Sequence, residues 1–177
     1  YPPPPAPPFP GTDVVTQVPD MLGDAVNDNL PYLEVDDVNA DQAANYADSR
    51  ADLLREFSAL LQQPCCRQLD YSRVPLEEGV TLDHLNEARH VARMYLVVAD
   101  VKTMNGDFDR AAYTQMDVIR LGHCTGKGGL AVDVLVEVAI QDMGSDGVRK
   151  IRTDLSPEVR RRLATGREAM DRAAETV

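Results

Sequence analysis

An all-α fold, of about five helices in antiparallel hairpins behind an extended Pro-rich arm, is predicted by three observations. From Asn39 onward the apolar residues recur at steps of three, four and seven, the spacing that lines one face of a helix. Pro, Gly and good N-cap residues punctuate this pattern at helix-length intervals. Even the Val-rich segment 130–143, which resembles a buried strand, places Asp133, Glu137 and Gln141 four residues apart, on one helical stripe. Residues 1–38 form the arm and 39–177 the helical domain.

The arm opens YPPPPAPPFPG, with seven prolines in eleven residues, a composition that favours extended polyproline II. Residues 12–38 are acidic, broken by Pro19, Gly23 and Pro31, and keep no helical period. The first helix starts near Asn39, turns Ala43, Ala47, Leu54, Phe57 and Leu61 inward, and stops at Pro64. An irregular linker follows. Thr81 then caps a second helix, whose stripe Leu85, Ala88, Ala92, Tyr95 and Ala99 is widened by Val91, Met94, Val98 and Val101. Asn105 and Gly106, which tolerate the left-handed conformation, end it. Asp107 starts a third helix, with Phe108, Ala112, Met116 and Ile119 inward, until Gly122. Residues 130–143 form a fourth, nearly buried helix, broken at Gly144-Ser-Asp-Gly147. Ser156 as cap and Pro157 in the first position start a fifth, with Val159, Leu163 and Met170 inward.

At 177 residues and 44% hydrophobic, the chain can bury one sizeable core. Its net charge of -11 argues against a nucleic-acid partner. The charge is uneven: residues 1–64 hold eleven acids and two bases, 147–177 five and eight. The acidic front favours a basic partner surface. No apolar run reaches the length of a membrane span, and an anchor or signal upstream of Tyr1 is an expectation. Of the three cysteines, one bridge from Cys65 or Cys66 to Cys124 could form in an oxidising compartment; buried thiols without chemical role are the simpler expectation.

RLGHCTGKGG, residues 120–129, looks like a phosphate loop, but only three residues separate Gly122 from Gly126-Lys127, and Gly128 stands where a hydroxyl is needed. A helix rather than a strand precedes it. A glycine-rich turn is the better reading. Glu87 and His90 have the spacing of a di-iron ligand pair, but the chain has no second Glu-x-x-His, so no metal site and no cofactor are expected. Cys124 beside His123 lacks the geometry that activates a thiolate. The Asp133, Glu137, Gln141 stripe is expected to face solvent or to pair with Arg side chains of the last helix, with a catalytic carboxylate as the lesser alternative.

The stretch ARMYLVVADVKTMNGDFDRAAYTQMDVIRLGHC, 92–124, resembles a tetratricopeptide-type helical hairpin, with Ala99 at the close helix contact and Gly106 to Ala112 at the turn. Only one such unit is visible. A longer stretch, from Cys66-Arg67-Gln68-Leu69-Asp70-Tyr71-Ser72 through the hairpin to LVEVAIQDM, is similar to an uncharacterised family of exported bacterial α-helical proteins. That resemblance implies export, to the periplasm or the outer face of the membrane, and implies no activity.

The expected function is therefore a non-catalytic interaction or scaffold protein, an accessory subunit of an extracytoplasmic membrane-associated assembly. Its partners are other protein subunits, contacted through the acidic face and through Tyr1, Pro2, Pro3, Pro4, Pro5, Pro7, Pro8, Phe9 and Pro10 of the arm. Two rival readings are a small-ligand binder, with a groove between the helices at Thr81 and Leu130 and contacts from Tyr95 and Arg93, and a hydrolase-type enzyme using a carboxylate of the Asp133 stripe.

Overall fold

The computed structural model describes residues 40–63, 83–127 and 130–175. Among these, the chain forms helices and no strand: α1 (Ala40–Leu60), α2 (Asp83–Met104), α3 (Phe108–Gly126), α4 (Ala131–Ile151) and α5 (Pro157–Glu175). The Pro-rich arm, the Thr81 cap and Cys65 and Cys66 lie outside the described residues.

Periodicity places the cores. Ala43, Ala47, Leu54, Phe57 and Leu61 of α1 and the turn after it are buried, as their spacing predicts. Leu54, Phe57 and Leu61 join Leu85, Ala88, Val91, Met94 and Tyr95 of α2, Val118 and Leu121 of α3, and Val136 and Ile140 of α4 in one apolar cluster. A second cluster lies on the other side of α3, where Ala112, Met116 and Ile119 meet Ile151, Leu155, Val159 and Leu163. α3 is thus buried on two sides, so that even its polar Thr114, Gln115 and Thr125 are buried. Gly106 adopts φ +75 in the turn between α2 and α3, a conformation that costs glycine little. At the start of α5 the Ser156 hydroxyl accepts the Val159 N–H at 3.3 Å, and the Ser156 N–H donates to Asp109 on α3 at 3.0 Å.

Two helices run past the glycines expected to end them. α3 continues from Gly122 to Gly126, and α4 passes through Gly144-Ser-Asp-Gly147 to Ile151. The reason is tertiary. A Cβ on Gly122 would lie 2.9 Å from the Glu137 carbonyl, and one on Gly144 would lie 2.8 Å from the Gln115 carbonyl. Gly126 and Gly147 are likewise pressed against the side chains of Glu137 and Gln115. Numbers fall along α4 as they rise along α3, so the pair is antiparallel, and its glycines let two backbones approach closely. Intrinsic propensity disfavours glycine inside helices, which is why spacing alone marks these residues as helix ends.

α4 is also turned over relative to expectation. Its polar stripe faces inward: Asp133 is buried, and Glu137 and Gln141 are half-buried against α3. Its solvent side carries Val134, Leu135 and Val138, which are 44%, 70% and 60% exposed, so the helix is not nearly buried. The polar groups find partners inside. The Leu130 N–H donates to Asp133 Oδ2 at 2.6 Å, capping α4, and His84 Nε2 lies 3.2 Å from Asp133 Oδ1. Gln141 donates to Glu137 at 2.8 Å and accepts from Arg167 of α5 at 3.2 Å, in line with the expected Arg pairing.

Cys124, buried at the end of α3, is disulfide-bonded, contrary to the simpler expectation of a free thiol. Cys65 and Cys66 are the only other cysteines in the chain.

Candidate functional site

Where three helices of a bundle splay, the gap between them is filled either by large side chains or by solvent. α1, α2 and α3 meet the core through Leu54, Tyr95 and Val118, but towards the α2–α3 turn the α1 wall carries the small residues Ala47 and Ala51 beside Asp48 and Arg55. An open groove of about 570 Å³ results, with Val98, Val101 and Lys102 on the α2 wall and Arg110, Thr114 and Asp117 on the α3 wall.

A polar network closes its inner end. The buried Tyr95 hydroxyl donates to the Leu54 carbonyl at 3.0 Å and lies 3.0 Å from the Ser58 hydroxyl. Ser58 donates to Asp117 Oδ2 at 2.8 Å, and Arg120 donates to Asp117 Oδ1 at 2.7 Å. Both Asp117 oxygens are therefore satisfied. Burial pushes the Asp117 carboxyl above its ordinary value, and the Ser58 and Arg120 hydrogen bonds pull it partly back. Burial also raises the Tyr95 phenol, so it remains a neutral donor at physiological pH. Ser58 gives its proton to a carboxylate that Arg120 already neutralises, so this network orients helices and offers no activated nucleophile.

Lys102 stands apart from that network. Its ammonium donates to Thr114 Oγ1 at 2.7 Å, and Thr114 in turn donates to the Arg110 carbonyl at 3.0 Å. Thr114 is buried, so the acceptor is held in place. Among the described residues no carboxylate is in ion-pair contact with Lys102. Burial lowers its pKa, Asp107 and Asp117 oppose that from a distance, and Arg110 adds to it. The other cations of the wall are engaged: Arg55 with Asp52 at 2.7 Å and Arg110 with Asp107 at 3.3 Å.

The sequence-predicted sites fare unevenly. The nine predicted arm residues, Tyr1 to Pro10 without Ala6, lie outside the described residues. Among the described residues, His84 Nε2 and Asp133 Oδ1 bridge α2 and α4, where the ligand-binding reading places its groove. Tyr95 lies instead on the other side of α2, at the floor of the α1–α2–α3 groove, and Arg93 is exposed and does not line it. Asp133 is buried, its Oδ2 accepting the Leu130 N–H and its Oδ1 lying beside His84 Nε2. Residues 120–126 are helix, so the suspected phosphate loop has no loop geometry over that span. Among the described residues no group of three His, Cys, Asp or Glu is placed to hold a metal ion, and no helix is long and apolar enough to cross a membrane.

Sequence reasoning missed Lys102, Thr114, Ser58 and Asp117. A signal for one of them existed: Lys102 interrupts the inward stripe of α2 one position after Val101, on a helix face otherwise apolar. No family model matches the chain, and no curated protein and no solved structure matches it either.

Proposed function

We propose that this protein is a non-catalytic interaction subunit whose α1–α2–α3 groove receives a segment of a partner protein. The observation that carries this reading is the groove itself: it is open, walled by Ala47, Ala51, Val98 and Val101, and bordered by charged side chains. Apolar walls with a few fixed polar groups are how helical surfaces hold an extended or helical segment. The disulfide at Cys124 favours an oxidising compartment, in line with the resemblance to exported helical proteins and with a place in an extracytoplasmic, membrane-associated assembly. The Pro-rich arm and the acidic front add a second contact region in this proposal.

The test is the native mass of the protein released gently from its own cells, with co-migrating chains identified. Stoichiometric co-migration that is lost in Ala51→Trp, which fills the groove from an exposed position, supports the reading. A wild-type monomer overturns it. A small-molecule ligand is the second reading, favoured by a groove volume within the range of ligand sites. It predicts a monomer whose melting temperature rises with a cell extract of low molecular mass.

A further inference from the structure

We infer that Lys102, held by Thr114 in the α1–α2–α3 groove, is the docking point for one acidic side chain, Asp or Glu, of the partner segment. This rests on the groove being a partner-binding surface, and it specifies the chemistry that surface selects.

A lysine ammonium has three donors, and the structure uses one of them, on Thr114 Oγ1 at 2.7 Å. Thr114 cannot swing away, because it is buried and its own hydroxyl proton is committed to the Arg110 carbonyl. The ammonium is therefore oriented before a ligand arrives, with two donors left for it. Half-buried, it has lost part of its water, a cost reflected in its lowered pKa, and an incoming carboxylate offsets that cost with charge-assisted hydrogen bonds.

The charge count selects the anion. Of the lining cations, Arg55 and Arg110 already hold Asp52 and Asp107, and the Asp117 carboxylate already holds Arg120. One positive charge remains unspent. Asp107 and Asp117 are each paired with an arginine, so a dianion such as a phosphoryl group would bring two charges to one ammonium and leave the second uncompensated. Asp48 is exposed on the α1 wall, where water screens it. A monoanionic carboxylate fits what is left. The apolar wall residues Ala47, Ala51, Val98 and Val101 suit an acidic residue flanked by aliphatic ones.

The experiment uses the full chain against three arrays of octapeptides in a varied aliphatic background, with Glu, Gln or phosphoserine fixed at the centre. Wild type is expected to bind the Glu array about ten-fold or more over the Gln array. Lys102→Met, which suits a half-buried position, should lose that preference, and Lys102→Arg should keep part of it. Equal binding of Glu and Gln peptides, or an unchanged preference in a folded Lys102→Met, overturns the inference. So does a preference for phosphoserine. Ala51→Trp separates the two claims. If it binds the Glu array like wild type, the groove reading itself fails. If it loses binding while Lys102→Met does not, the groove stands and the acidic docking point falls. Absence of binding to all three arrays overturns both.

Discussion

Lys102 and Tyr95 show how much of the groove depends on single polar atoms. The unfolded chain keeps the Lys102 proton up to its ordinary value of 10.5, whereas the folded chain releases it at lower pH. Between those two values the unfolded state binds more protons, so this residue makes stability rise with pH there. The penalty on the charged form is full below the folded value. The difference in melting temperature between wild type and Lys102→Met should therefore favour the variant near neutral pH and shrink as pH approaches 10.5. A pH-independent difference would remove burial as the cause. Tyr95→Phe deletes the donor to the Leu54 carbonyl and the neighbour of Ser58 while keeping the ring in the core. It should cost about 1 kcal/mol in urea denaturation, the size of one buried hydrogen bond.

Glycines inside helices have opposite consequences depending on what faces them. In α4, a Cβ on Gly144 would lie 2.8 Å from the Gln115 carbonyl and from Ile119 Cγ1, and a backbone carbonyl of a packed helix does not yield. Gly144→Ala gains about 1 kcal/mol of helix propensity but should lose more to overpacking, for which about 1–3 kcal/mol is typical, and destabilise overall. In α5, a Cβ on Gly166 meets only Met116 Cε at 3.5 Å, an ordinary contact. Gly166→Ala should therefore stabilise by about 0.5–1 kcal/mol. Opposite signs in chemical denaturation check the close α3–α4 approach; equal signs would contradict it. The outer side of α4 is energetically quiet by comparison: Leu135, mostly exposed, should tolerate Ser within about 0.5 kcal/mol, whereas Ile140→Ala, fully buried, should cost about 2–5 kcal/mol.

The disulfide and the arm act on the chain as a whole. Cys124 ends α3 inside the first core, and its bridge ties that core to a distant part of the sequence. Cys124→Ser, or reduction of the wild type, should lower stability by about 2–4 kcal/mol, read as a shift in the denaturation midpoint under non-reducing conditions. Deleting residues 1–11 tests the arm's proposed part in partner contact. Co-migration with partners should weaken while the melting temperature stays nearly constant; an equal fall in both would place the arm in the chain's own core.

Among the described residues, helix type, helix number and, outside α4, the core-facing residues were legible in the sequence because they depend on local period and on which residues avoid water. The positions Ala43, Ala47, Leu54, Phe57 and Leu61 needed nothing beyond their spacing. The Ser156-Pro157 start of α5 needed only local capping chemistry. What the sequence alone left open was orientation and proximity. Whether the polar or the apolar stripe of α4 faces inward depends on His84 and Arg167, which lie far away in the chain. Whether Gly122 and Gly144 break or permit a helix depends on the neighbour that would meet their missing Cβ. Only the tertiary structure opposes the small residues Ala47 and Ala51 of α1 to Lys102, leaving a groove with an ammonium whose donors are not all used. Local periodicity determines what each helix is, and long-range packing decides which polar atoms are left to bind something else.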